Sequence, residues 1–486
     1  LLPVFFYLHH KTLIHMTSFL QKGICIFLFI IASVKGNTQI TEYSLETHFT
    51  EASINIYMQV LGIPSGLLEV QSEVDFYKIK YMTPHPDGSM VEVSGALCVP
   101  SDLDCPLPMG SYQHGTISAR DEAPSNPNGE ALIGVLYAAV GYIIVMPDYI
   151  GLGDSPLLHP YVHADSQAST SLDMIRAARD LQSTLGYTWD EQLFLFGYSQ
   201  GGHATAALQR LIETEFGDEF TITGSAPMSG PYDISGVQAG VLTSDQVYPT
   251  PGYLPYVVLS YQEVYGNIYN DLTEVFLPEY AAIIPDLFDG NTSMGIINNA
   301  FPTVPAQMLQ PAFIEAYNSD PNHPMRVALA DNDVMDWAPQ VPTRLFYCNA
   351  DDQVNYMNSV LALENFTELG STSVTAVDLG EYDHGGCAPL ALLFGLDFFE
   401  SLKVDNCNIS GVSEITDSFS ISPNPSNGIV SFNHAVNDWI EVYDATGRKV
   451  AASWVSQTAD WSALGAGCYV IIGRSFEPTR MIIIQK

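Results

Sequence analysis

Basic residues are scarce in this sequence: 17 Lys and Arg stand against 54 Asp and Glu among 486 residues, a formal net charge of −37. A surface that acidic repels phosphate backbones and anionic membranes, so no nucleic-acid partner is expected. Charged residues make up only 15% and hydrophobic residues 47%, which leaves ample material for a core and argues against wholesale disorder. No Cys-x-x-Cys spacing occurs and no His-x-x-x-His pair is read as a metal site, so neither a metal nor a cofactor is expected. Past the N-terminal stretch, no run is read as long and apolar enough to cross a bilayer.

That N-terminal stretch carries an export pattern. Its first methionine is Met16, and residues 1–15 read as an over-extended start. From Met16 come a lysine (Lys22), a short apolar run over Ile24–Val34, and the small or polar Gly36, Asn37 and Thr38. Basic start, apolar core and polar exit make a secretory signal peptide; a signal anchor is the alternative. The cysteines fit export. Cys25 lies in the signal, leaving Cys98, Cys105, Cys348, Cys387, Cys407 and Cys468, an even set that an oxidising compartment can pair. Local spacing suggests Cys98–Cys105 and Cys387–Cys407 as bridges.

Residues 40–70 read as a helical or irregular lead-in. Val74–Met82 and Met90–Val99 alternate apolar and polar residues around a Pro84–Gly88 turn, a hairpin signal. A strand over Pro108–Thr116, a helix over Ala131–Val140 and a strand over Gly141–Pro147 follow. Ser169–Leu185 has apolar residues at helical spacing and stops at Gly186. Leu193–Tyr198 is a strand running into Ser199, and Thr221–Met228 is another. Residues Asp233–Gln340, rich in tyrosine and proline, break this rhythm. It resumes with a strand (Thr343–Cys348), a helix (Asn355–Leu369), a strand (Val374–Leu379) and a helix (Ala388–Leu402). Such alternation predicts an α/β fold, a mostly parallel sheet flanked by helices. Residues 233–340 would then form a helical cap insertion over the carboxyl ends of the strands. The expected domains are 1–36 (start and signal), 37–403 (catalytic), 404–417 (linker) and 418–486, a small all-β sandwich.

Gly197-Tyr198-Ser199-Gln200-Gly201 stands between a hydrophobic strand and an Ala-rich helix. A serine on such a tight turn is strained and exposed to a reactant, and glycines two positions away relieve crowding. A serine nucleophile needs a base, and the base an orienting acid. Beyond Ser199, His323 falls in the cap and His434 in the tail, leaving His384, after the last strand of the sheet, as the base. His203 more readily faces its own helix's packing surface. The acid should follow the Thr343–Cys348 strand, where Asp351 is the choice and Asp352 the competitor; Asp383 only neighbours the histidine. The backbone N–H of Gln200 and, from the His114-Gly115-Thr116 loop, that of Thr116 are the expected oxyanion donors. Asp148-x-x-Gly-x-Gly-x-Ser155 lacks the lysine of a phosphate loop and reads as a structural turn.

These motifs together resemble the α/β-hydrolase fold over about Val74–Leu402. Tyr112-Gln113-His114-Gly115-Thr116, Pro147-Asp148-Tyr149-Ile150-Gly151-Leu152-Gly153 and Gly197-Tyr198-Ser199-Gln200-Gly201-Gly202, with a helical insert before the acid, resemble the secretory lipase family within it. That resemblance implies esterase or lipase chemistry with Ser199, His384 and Asp351 as the triad, acting on a small-molecule or lipid ester. Ser422-Pro-Asn-Pro-Ser-Asn-Gly428, Val442–Lys449 and Leu464-x-x-Gly467-x-Tyr469 resemble the C-terminal sorting domain of type IX secretion. This second resemblance implies the type IX machinery as a partner, and a secreted or surface-anchored protein exported through the periplasm and across the outer membrane. A carbohydrate- or partner-binding β-module is the alternative for the tail. Two other functions stay open: an exopeptidase using the cap acids Glu263, Asp271, Glu274 and Glu279, and a non-catalytic surface adhesin on a hydrolase scaffold.

Overall fold

The computed structural model describes residues 39–60, 68–127, 129–407, 421–422, 426, 428–432, 438–444, 449–465, 467–472 and 479–483. The expected signal segment (1–36) and most of the expected linker lie outside the described residues.

Residues 40–402 fold around a nine-stranded sheet. It opens with strand β1 (Ile40–Phe49) and helix α1 (Glu51–Val60), then the hairpin β2 (Val74–Pro84) and β3 (Met90–Pro100). Next come β4 (Pro106–Gln113), α2 (Ala131–Ala139), β5 (Ile143–Pro147), α3 (Ala164–Leu185), β6 (Thr188–Tyr198), α4 (Gln200–Glu215) and β7 (Ile222–Met228). The cap follows as short helices: α5 (Gly240–Thr243), α6 (Tyr253–Tyr265), α7 (Pro278–Ala281), α8 (Ile284–Leu287), α9 (Met294–Asn299), α10 (Pro311–Ser319) and α11 (Pro324–Asp331). The chain returns through β8 (Thr343–Tyr347), α12 (Met357–Glu368), β9 (Val374–Asp378) and α13 (His384–Leu402). Strand order is β1-β2-β3-β5-β4-β6-β7-β8-β9. The first three pairs are antiparallel, and β5-β4-β6-β7-β8-β9 are parallel.

Period-two side-chain alternation explains why β6 is apolar throughout its second half. Phe194 and Phe196 pack on the face covered by α2 and α13, whereas Leu193 and Leu195 pack on the face covered by α3 and α4; all four are fully buried. By length and composition α13 could cross a bilayer, contrary to the expectation from the sequence. In the fold its apolar face lies under the sheet, with Phe399 at 4.8 Å from Phe194.

Four further expectations are corrected. The lead-in is an edge strand plus a helix; most side chains of β1 are exposed or half-buried, so its hydrophobic pattern is weak. Helix α3 starts at Ala164, with the His163 ring accepting from Ser166 N, five residues before the apolar spacing becomes evident. Cys98 is a buried free thiol, and the bridges among the described residues are Cys105–Cys407 and Cys348–Cys387. Both join segments far apart in sequence, which local spacing cannot reveal.

In the tail, β10 (Ile421–Ser422), β11 (Ile429–Phe432), β12 (Asp438–Asp444), β13 (Lys449–Val455), β14 (Thr458–Asp460), β15 (Gly467–Ile472) and β16 (Thr479–Ile483) form two antiparallel sheets. Val430, Ile440, Val442 and Ile471 form the core with Trp461, whose ring meets Phe432 edge-on.

Candidate active site

The carboxyl ends of β4, β6, β8 and β9 bring the candidate residues to one edge of the sheet. Ser199 follows β6 with φ 62° and ψ −123°, a region costly for a residue with a Cβ. Its N–H donates to Met228 O on β7 at 2.9 Å, which helps hold the turn. The flanking glycines are dictated by space. A Cβ on Gly197 would meet Gln113 O and Gly201 O at 2.5 Å, and one on Gly201 would meet Gln113 O at 1.9 Å. Gly201→Ala must therefore push β4 away from α4. It is expected to cost about 3 kcal/mol or more, read as a drop in the midpoint of thermal unfolding; an unchanged midpoint would count against this packing.

His384 is the first residue of α13, whose N-cap, Asp383, accepts from Gly386 N at 2.7 Å. The His384 ring Nδ1 lies 2.7 Å from Asp351 Oδ2, with the two side chains 8% and 1% exposed. The other Asp351 oxygen accepts from the backbone N–H groups of Gln353 and Val354 at 2.9 and 2.8 Å, so the carboxylate is fixed by its own loop. Asp352 instead accepts from the backbone N–H of His384 at 3.2 Å. Tyr198, beside Ser199, donates through its hydroxyl to His384 O at 2.6 Å and tethers the end of β6 to the histidine turn.

Gln200 opens α4, and Thr116 stands in the loop after β4. Neither backbone N–H has a protein acceptor among the described residues. Thr116 Oγ1 lies 2.9 Å from the Tyr161 hydroxyl. The Gln200 side chain donates through Nε2 to His159 Nε2 at 2.8 Å, while His159 Nδ1 donates to Ile150 O at 2.8 Å. Burial pushes the His159 imidazole down to about 3, so it stays neutral and Nε2 can accept. Tyr161 and His159 had one signal in the sequence, the His159-x-x-x-His163 spacing. That spacing suits a metal, but His163 Nδ1 faces Ser166 Oγ at 2.9 Å and His159 uses both nitrogens. Among the described residues no group of three His, Cys, Asp or Glu side chains could hold a metal ion.

His203 stands away from this pair. It is fully buried, with Nδ1 3.2 Å from Gln167 Oε1 and Nε2 2.8 Å from Asn332 O. Burial pushes it down to about 4 from an ordinary 6.5. The folded ring is thus neutral where the unfolded one is protonated, so stability contributed above about pH 6.5 is lost as pH falls towards 4. His203→Gln is expected to remove up to roughly 3 kcal/mol of that acid sensitivity, measured as the difference between the two proteins' stability-against-pH curves; superimposable slopes would exclude the effect. The Asp148 turn is likewise internal: its buried carboxylate accepts from Ser94 Oγ at 2.5 Å and Ser125 N at 2.8 Å.

Above Ser199 and Gln200 lies a cavity of about 80 Å³, walled by the cap and by Tyr161, Val162 and Val354. Of the cap tyrosines, Tyr248 and Tyr253 reach it, with Leu254, Val241 and Val257. Tyr256 stacks behind Tyr161 at 4.4 Å. Among the described residues no charged side chain lines the cavity, and Glu263, Asp271, Glu274 and Glu279 are not part of its wall.

Residues 130–391 match the Secretory lipase family, and residues 420–485 match the Secretion system C-terminal sorting domain. Ser199, Asp351 and His384 fall inside the first match and Thr116 outside it. No curated protein matches the chain. Among solved structures, one of a Legionella pneumophila protein is 31% identical with a TM-score of 0.70, covering 75% of this chain and 98% of that one. The rice cell wall degrading esterase LipA from Xanthomonas oryzae is 30% identical with a TM-score of 0.67 and the same coverage, 75% and 98%. Candida antarctica lipase A, at 16% identity, shares the fold, with a TM-score of 0.59 over 76% of this chain and 84% of that one.

Proposed function

Since this chain belongs to the secretory lipase family, we propose that it is a secreted serine ester hydrolase working through an acyl-enzyme intermediate. Ser199 is the nucleophile, His384 the base and Asp351 the orienting acid. The observation that carries this reading is the 2.7 Å contact of Asp351 with His384 Nδ1, at the same sheet edge as a strained serine under an uncharged cavity. With Nδ1–H held by the carboxylate, the other nitrogen, Nε2, is free to act as a base. It takes the Ser199 Oγ proton as Oγ attacks the ester carbon, and the carbonyl oxygen becomes an oxyanion. The N–H groups of Gln200 and Thr116 receive that charge. The intermediate collapses, the C–O bond to the alcohol breaks, and the imidazolium returns its proton to the departing oxygen. Water then repeats the sequence on the acyl-serine and releases the acid.

The cavity lining favours an ester over a peptide terminus, because an exopeptidase needs a charged side chain to hold the terminal ammonium or carboxylate. The expected result is release of p-nitrophenol from acyl esters with no release of p-nitroaniline from aminoacyl anilides. Faster turnover of the anilides would favour the exopeptidase, and no turnover of either a scaffold without catalysis. Residues 37–403 form the catalytic unit in this reading, with the cap at 233–340. The tail (418–486), beyond a linker at 404–417, directs the protein to the type IX machinery, placing the enzyme outside the cell or on its surface.

A further inference from the structure

The two disulfides sit in different mechanical settings. Cys105–Cys407 joins the segment before β4 to the segment after α13, 302 residues apart in sequence. Cys348–Cys387 spans 39 residues, and both of its ends adjoin the acid–histidine pair. Cys348 is the first residue after β8, and its carbonyl accepts from Asp351 N at 3.3 Å. Cys387 lies one helical turn beyond His384, its N–H donating to Asp383 O at 2.9 Å. Both cysteines are fully buried.

Apart from the hydrogen bonds of Tyr198 and Asp352 to the His384 backbone, the segments they join are largely exposed. Glu381, Tyr382 and Asp383 before the histidine are exposed, as are Gly385 and Gly386 after it, so Cys387 is the next buried residue. The first turns of α13 contain Gly385, Gly386 and Pro389, residues that disfavour a helix by about 1 kcal/mol per glycine and more for proline. On the other side, Asn349, Ala350 and Asp352 are exposed around Asp351. Two soft surface segments must therefore present an imidazole and a carboxylate within 2.7 Å of each other.

We propose that Cys348–Cys387 is a positioning disulfide that holds the His384 turn against the Asp351 loop, so that full turnover requires this bridge. The proposal rests on Asp351 and His384 being the acid and base of the preceding section. Cys105–Cys407 is the internal control. It closes the much longer loop, so its loss should relieve the unfolded chain of the greater constraint, yet it touches neither segment.

The test compares the full chain with C348S/C387S and C105S/C407S for kcat, KM, rate of fluorophosphonate labelling and thermal midpoint. C348S/C387S is expected to lose about tenfold to a hundredfold in kcat and labelling rate, with KM little changed. C105S/C407S should show the larger fall in thermal midpoint with unchanged kcat. If C348S/C387S keeps wild-type kcat, or both pairs lose kcat in parallel, the positioning role is overturned. Should the serine pair fail to fold, C348A/C387A, which leaves no buried hydroxyl, takes its place; if that also fails, the bridge serves the fold and the proposal fails. His384→Ala, assayed alongside, separates the two ideas. Wild-type activity in that variant sinks the acid–base reading itself, whereas an inactive His384→Ala beside a fully active C348S/C387S sinks only the disulfide's role.

Discussion

Ser199→Ala is expected to lower kcat for ester hydrolysis by about 10⁴- to 10⁶-fold. KM and the thermal midpoint should stay near their wild-type values. The size of the effect follows from the chemistry. Without Oγ there is no acyl-enzyme, and the base and the oxyanion donors then have only water to activate. The fold should survive, because alanine keeps the Cβ already accommodated at φ 62° and the N–H to Met228 O bond is made by the backbone. Residual activity comes from the cavity and the N–H groups alone. A variant with more than a tenth of wild-type turnover would mean that another residue attacks the substrate, and it would remove the mechanism above.

The second large effect separates two adjacent carboxylates. Asp351→Asn is expected to lower kcat by about 10⁴-fold near neutral pH. An amide that donates to Nδ1 would leave the proton on Nε2, the nitrogen that must accept from Ser199. Asp352→Asn should cost far less, since Asp352 accepts from the backbone of His384 and does not select the ring tautomer. Its loss is expected to reduce kcat by about tenfold or less, through orientation alone. Equal losses in the two variants would mean that the Asp351–His384 contact does not set the tautomer. Steady-state kinetics on one ester, with fluorophosphonate labelling as a second readout, decides between them.

Much of this site is legible from chain order because its parts lie at strand ends. An apolar run such as Leu193–Phe196 announces a strand buried on both faces, and a small-residue turn at its end marks where the chain leaves the sheet. Asp351 against Asp352 stays open in the sequence because both follow β8 directly; only the direction of each side chain tells them apart. The lead-in strand is obscure for the opposite reason. Edge strand β1 buries little, so Tyr43 and Leu45 point outward at 45% and 54% exposure and blur the alternation. The roles of His159 and Tyr161 are hidden because their contacts with Gln200 and Thr116 join residues 41 and 45 positions apart, and the one spacing they show points to a metal instead. The bridges fail on the same ground, each closing over a stretch whose path only the fold defines.

Cys407 also determines how the molecule bears load. A force applied to the chain beyond that residue passes through the sulfur bridge to Cys105, at the entry to β4. That strand is flanked on both sides by hydrogen-bonded neighbours, β5 and β6, so the pull is shared among interior strands. Helix α13, which begins with His384, lies outside the loaded path and is not peeled from the sheet. Tugging on the tail therefore loads β4 before the histidine turn.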